Sequence, residues 1–308
     1  MTLSVSIVKE LREKSGAGMM DCKKALLETD GKIEEAIDWL RKQGLSAVAK
    51  KSSRVAAEGL IGVTVKDNQG ALIEINSETD FVARNELFQD FVKTCSDLSL
   101  TCNEDIEILK QMQYPNTGRS VDQELANNIA TIGENMNVRR TKILKVSNGV
   151  ITSYVHNSIA DGLGKLGVLV ALESNGDKDK LSSVGKQIAM HIAATSPKSL
   201  NIEDLDEDVV DRERQVLIDQ AVASGKPKEI AEKMVNGRML KYFQEVVLNE
   251  QVSVIDGETK IKDVVTKLQK DLDAEVKLAG FIFLKLGEGI EVSENDFAAE
   301  VAATAGIK

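Results

Sequence analysis

Apolar positions recur with a helical period from the start of the chain to about residue 45. Ile7, Val8 and Leu11 form a stripe on a first helix, which Gly16 and Gly18 are expected to terminate. A second helix, through Met20 to Leu27, turns Ala25 and Leu26 inward and ends at Gly31. In a third, Ile33, Ala36, Ile37 and Leu40 fall at i, i+3, i+4 and i+7 on one face, and Gly44 reads as its stop. So small a bundle is stable only if it leans on something else. The Ala-rich stretch that follows, with Lys50, Lys51 and Arg54, reads as a helical connector.

Beyond Glu58 the period changes from helical to alternating. Gly59 to Val65 and Ala71 to Ile75, joined by the turn Asp67-Asn68-Gln69-Gly70, predict a β-hairpin, and a helix with Phe88, Phe91, Val92 and Cys95 on one face follows. The same order returns as Gly149 to Val155, Gly167 to Leu172, and a helix containing Ile188 and Ile192, which suggests an internal duplication. Between the two lie a helix (Leu125, Ile129, Ile132) and a strand from Asn137 to Val146. From Asp204 to Asn249 two long helical patterns meet at Ser224-Gly225-Lys226-Pro227. Val210, Leu217 and Ala221 are expected to face one way and Ile230, Met234 and Phe243 the other, as an antiparallel helical hairpin. A short helix (Val264, Val265, Leu268), an apolar strand from Val276 to Leu286 and a last helix with Phe297, Ala298 and Val301 complete the chain. Strands and helices without regular βαβ alternation indicate the α+β class.

Composition narrows the function. With 42% hydrophobic and 29% charged residues the chain is globular, and its net charge of -10 works against wrapping phosphates, so nucleic acid is an unlikely partner. Cys22, Cys95 and Cys102 make neither a disulfide framework nor a zinc pattern. The start has no secretory or transit character and no apolar run reaches spanning length, so a cytoplasmic protein is expected. Gly162-Leu163-Gly164-Lys165-Leu166-Gly167 spells a dinucleotide fingerprint but precedes a strand rather than a helix, so it reads as an inter-strand loop. No P-loop occurs, and His156 and His191 lack ligand spacing. The chain is therefore expected to hold no nucleotide, metal or cofactor, and to be no enzyme.

Three segments exceed the needs of folding. Met19 and Met20 in Gly18-Met19-Met20-Asp21 cannot both face one small core, so one of them is expected at the surface. In Ser77-Glu78-Thr79-Asp80-Phe81-Val82-Ala83-Arg84-Asn85, Asn85 is the natural helix cap, which leaves Asp80 free, and Phe81 is either a buried staple or an exposed wedge. Residues 224–239, around the helix-hairpin turn, are accounted for by helix start and surface. Together these segments, with Val8 to Arg12, Ile132 to Arg140, His191 to Ala194 and the ending from Asp296 to Ala303, resemble the elongation factor Ts family in order along the whole chain.

That resemblance implies a layout. An N-terminal ubiquitin-associated-like three-helix bundle (1–45) and a connector (46–58) precede a core of two related antiparallel-sheet-plus-helix subdomains (59–146; 147–203 with 250–286). A helical hairpin (204–249) projects from the second, and a C-terminal module (287–308) follows. It also implies a partner, elongation factor Tu, whose GDP is released when the Mg²⁺ site is disturbed by Thr79, Asp80, Phe81 and Val82, while Arg12, Gly18, Met19 and Met20 dock on the same partner domain. The apolar seam of the hairpin suggests self-association.

Overall fold

The computed structural model describes residues 4–15, 17–225 and 228–291. The expected last helix with Phe297, Ala298 and Val301, the run 296–303, Gly16 and Pro227 lie outside the described residues.

Helices α1 (Val5–Ser15), α2 (Met19–Glu28) and α3 (Ile33–Lys51) close over Leu11, Cys22, Ala25, Leu26 and Ala36. The stop expected at Gly44 does not occur, and α3 runs on to Lys51. An interior glycine costs a helix only ~1 kcal/mol relative to alanine. A glycine stop needs left-handed backbone, which Gly44 does not adopt, so the helix-forming residues after it carry the helix into the connector.

The rest is built on two antiparallel sheets. β1 (Glu58–Lys66), β2 (Gln69–Ser77) and β3 (Met136–Lys145) form one in the order β3-β2-β1, and a two-residue strand β5 (Leu163–Gly164) adds to the β1 edge. β4 (Gly149–His156), β6 (Leu166–Ser174) and β7 (Val276–Lys285) form the other, in the order β4-β6-β7. Their inner faces meet: Ile61, Leu72, Ile151, Leu169, Ala171 and Leu284 share one apolar cluster. The outer face of the first sheet carries α4 (Glu86–Ser99), α5 (Ile106–Gln111) and α6 (Val121–Ile132) over Leu60, Ile73, Phe88, Phe91 and Ile129. That of the second carries α7 (Lys178–Thr195) and α10 (Ile261–Leu272) over Val168, Val170, Ile188 and Leu278. Because both faces of β6 are covered, Val168 to Leu172 reads as an unbroken apolar run rather than an alternation.

With α5 set aside in the first unit, and β5 and residues 196–260 in the second, the order strand, strand, helix, helix, strand occurs twice, and the details repeat with it. α6 and α10 both have 12 residues, end on a left-handed residue (Gly133, Asp273) and lead into strands of 10 residues. Both helices are approached through a single antiparallel bridge, Gln113–Ser120 and Val252–Lys260. The registers slip between Glu74 and Ile75 in one sheet and between Ala171 and Leu172 in the other. Opposite each slip stands a glycine that no other residue replaces cheaply. Gly59 (φ 123°) and Gly149 (φ 140°) would place a Cβ 2.2 Å from the Ile75 carbonyl oxygen and 2.0 Å from that of Leu172.

The fingerprint-like glycines carry the chain from one sheet to the other. β5 pairs with β1, Lys165 is the crossing, and β6 continues in the second sheet. Gly162 accepts a hydrogen bond from the Val63 amide (2.8 Å), and a Cβ on Gly167 would sit 2.8 Å from the Ile61 side chain between the sheets. A strand follows them, as expected, but the inter-strand loop must be corrected: Leu163–Gly164 pair with β1, Leu166–Gly167 open β6, and only Gly162 and Lys165 lie outside strands.

α8 (Glu207–Ala223) and α9 (Lys228–Val246) make the helical hairpin. On α8, Ala221 is buried as expected. On α9 the expectation fails: Ile230 and Met234 are exposed, and Val235 and Met239 are buried instead. Apolar residues occur nearly all round α9, so its sequence pattern does not select a face.

Candidate partner-binding site

The segment between β2 and α4 is braced at every step except its tip. Glu134, just after α6, accepts from the Thr79 amide (2.9 Å) and the Thr79 hydroxyl (2.6 Å). The Ser77 hydroxyl donates to the Thr79 carbonyl (2.9 Å), and the Glu78 carboxylate accepts from the Asn135 amide. On the far side Asn85 caps α4, its side chain accepting from the amides of Leu87 (2.9 Å) and Phe88 (3.4 Å). The Gln89 amide donates to the Ala83 carbonyl (2.9 Å), and Val82 to Arg84 form one 3₁₀ turn.

Between these anchors Asp80 and Phe81 project into solvent, with Phe81 79% exposed. The buried-staple reading of Phe81 is thereby removed. Val82, expected in the contact surface, must be corrected: it is 4% exposed and packs with Ala83 into the cluster under α4. Val82 and Ala83 are drawn under α4, and Asp80 and Phe81 before them are left outside. Thr79 is half-buried and spends its polar groups on Glu134.

The other candidates stand on a separate cluster. Arg12 is exposed on α1, and Gly18, half-buried, is the N-cap of α2. Met19 (54%) and Met20 (74%) are both exposed, where only one was expected at the surface. Cys22, Ala25 and Leu26 fill the inward face of α2; Met20 lies off that face, and Met19, at the first helical position, stands at its open end.

Two features go beyond the sequence: the packing role that the apolar neighbours of His191 suggest comes with specific partners, and Glu74 is buried. His191 is fully buried in α7, where the Val254 amide donates to Nδ1 (3.2 Å) and Nε2 faces the Gln251 side-chain oxygen (2.9 Å). Burial pushes its pKa down, against a smaller upward pull from Gln251. This neutral ring holds the loop on which Val252, Val254 and Ile255 are exposed. The signal was present as the apolar residues Val252, Val254 and Ile255, close together at a helix approach. The second is Glu74, fully buried between the sheets, which accepts from Arg139 (2.9 Å), Arg140, Asn76 (3.0 Å) and the Gly287 amide (2.8 Å). Burial raises its pKa, but these four donors outweigh it and leave the carboxyl below its ordinary value.

Among the described residues no group of His, Cys, Asp and Glu could hold a metal ion, and no helix is long and apolar enough to cross a membrane. The two sheets and their helix layers display exposed apolar side chains, Phe81 on the turn before α4 and Val254 and Ile255 on the loop that His191 holds. The family described as Elongation factor TS matches residues 78–288. An elongation factor Ts of Rhodospirillum centenum is 59% identical over 304 residues, 99% of each chain. One of Paramagnetospirillum magneticum is 57% identical over 306 residues, 99% of this chain and 98% of that one. One of Sinorhizobium fredii is 51% identical over 305 residues, 99% of each. The chain belongs to the elongation factor Ts family, and its role is that of a translation elongation factor.

Proposed function

We propose that the chain is a guanine-nucleotide exchange factor that binds elongation factor Tu and promotes GDP release by disturbing the Mg²⁺ and phosphate site of that partner. The observation that carries this reading is Phe81, largely exposed on a turn held on one side at Thr79 and on the other at Asn85. An exposed aromatic on a flexible loop spends its binding energy on ordering the loop; a braced one spends it on the partner.

Exchange makes and breaks no bond in this chain. It is a coupling of two binding equilibria, in which a factor that loosens nucleotide is itself loosened by nucleotide to the same extent. Phe81 is the wedge, Asp80 acts beside it, and Thr79 and Val82 set the direction of the tip from beneath. Arg12, Gly18, Met19 and Met20 supply docking, for which exposed, adaptable methionines are suited. The exposed Val254 and Ile255 offer a second contact on the other unit. Purified Tu-type GTPase loaded with fluorescent GDP tests the reading: the chain should accelerate release, and by calorimetry should bind no GDP alone. No acceleration at saturating factor would end it.

A second property of the hairpin, self-association, is favoured by the exposure of Val216, Ile230, Met234 and Leu240 on the outer surfaces of α8 and α9.

A further inference from the structure

The stretch from Thr101 to Asp122 contains a side chain that ties the N-terminal bundle to the core. Asn116 (φ 62°) and Gly118 (φ 68°) reverse the chain there, and the Tyr114 amide donates to the Arg119 carbonyl (2.8 Å), which fixes Arg119 at the foot of α6. Its Nε donates to Glu124 (2.6 Å), a buried carboxylate on α6, so the guanidinium is held in one orientation. Its Nη1 then donates to the carbonyl oxygen of Ser15 (3.2 Å), at the C-terminal end of α1 and 104 residues away.

Ser15 ends α1, so its carbonyl has no partner within the helix, and a cation there also opposes the helix dipole. From this atom the bonds run on to the docking edge. The Ser15 hydroxyl accepts from the Ala17 amide (3.2 Å), the Cys22 thiol donates to the Ala17 carbonyl (3.6 Å), and the Cys22 amide donates to Gly18 (2.9 Å), next to Met19. Among the described residues the bundle's most extensive contact with the first unit is α3 against α6. One helix pair permits rocking, and a second attachment, on a different helix of the bundle, removes it.

We infer that Arg119 is a positioning residue, which clamps the α1–α2 turn to the core so that the Met19–Met20 edge and the Phe81 tip meet the partner in one fixed relation. The inference rests on the exchange reading above and adds the element that coordinates its two contact groups. Glu124 orients the clamp, and the two sheets need neither residue for their own packing.

The test uses the full chain with spin labels at Leu27→Cys and Leu87→Cys, both exposed, while the native cysteines are buried. Three variants are compared: Arg119→Ala, Arg119→Lys, and Arg119→Gln combined with Glu124→Gln, which spares α6 an unpaired buried carboxylate. The parent should give one narrow label-to-label distance, the Ala and double variants a broad one, and the Lys variant an intermediate width. In GDP release the half-maximal factor concentration should rise roughly tenfold for the Ala variant, as for one lost hydrogen bond to a charged group, with the saturated rate unchanged. Unchanged distance distributions would overturn the inference, as would a fall in saturated rate at constant half-maximal concentration. Loss of the fold in both the Ala and double variants, read by circular dichroism, would also overturn it by making Arg119 a purely structural residue. If the parent chain does not speed GDP release, the exchange reading fails while the distances still decide Arg119.

Discussion

Replacing Phe81 by alanine separates the wedge from the docking contacts. The side chain is 79% exposed and rests on little of its own chain, so the variant should melt within ~0.5 kcal/mol of the parent. Full burial of a phenylalanine contributes ~1.5–3 kcal/mol. Scaled by the 79% that is open, Phe81 has about 1.2–2.4 kcal/mol to deliver to a partner, which corresponds to roughly 8- to 60-fold. Where that factor appears is the informative part. If Phe81 is buried only as nucleotide contacts loosen, stopped-flow GDP release at saturating factor should slow by about that amount. If it is buried equally throughout, only the half-maximal concentration should rise. Asp80→Ala should follow in the same direction more weakly, and the pair should cost less than the summed singles. Val82→Ala makes the contrast: two buried methyls are lost from the core cluster, so stability should fall by about 2 kcal/mol, and any change in exchange should follow from a displaced tip rather than a lost contact. A Phe81→Ala protein with an unchanged saturated rate would refute the wedge, whatever its affinity.

Glu74→Gln should cost about 3 kcal/mol at neutral pH, because two guanidiniums lose a buried counter-charge, though their own partial exposure keeps the loss toward the low end. Since the folded-state pKa lies below the ordinary 4.5, the parent holds this stability above pH ~4.5 and loses it as pH falls through the depressed value. Urea unfolding from pH 7 down to 3 should therefore show a shallower acid decline in the variant, and parallel curves would disprove the assignment. Gly149→Ala should destabilise by ~3 kcal/mol, since its left-handed backbone and the Leu172 carbonyl leave no room for a Cβ, and chemical denaturation reads it directly. Replacing 207–244 by a short Gly/Ser linker keeps the base of the hairpin, where Ser199 bridges Val247 and the Val246 and Glu245 carbonyls accept from Lys198 and Gln251. Sedimentation should then show loss of concentration-dependent association while GDP release persists, and equal loss of both, with the fold intact, would remove the self-association proposal.

Much of this molecule was legible because it is locally encoded. The Phe88–Cys95 face, the Asn85 cap and the strands on either side of residues 67–70 follow from a period and a capping preference that act within one or two turns of chain. The ordered family resemblance depends on the same short segments. What depends on long-range contact was not legible. Gly44 reads as a stop until the structure shows that nothing turns the chain left-handed there. Val235 and Met239 face inward on α9 only because α8 lies where it does, since the apolar residues of α9 surround its axis. Glu74 looks like a solvent-facing carboxylate within a strand, and becomes a buried clasp because Arg139, Arg140 and Gly287 arrive from 65 or more residues away. The tip at Phe81 lies between these cases. Its sequence left burial and exposure equally open, and the decision came from the packing of Val82 and Ala83 under α4 and from the grip of Glu134 on Thr79, which leave the aromatic ring nowhere to go but outward.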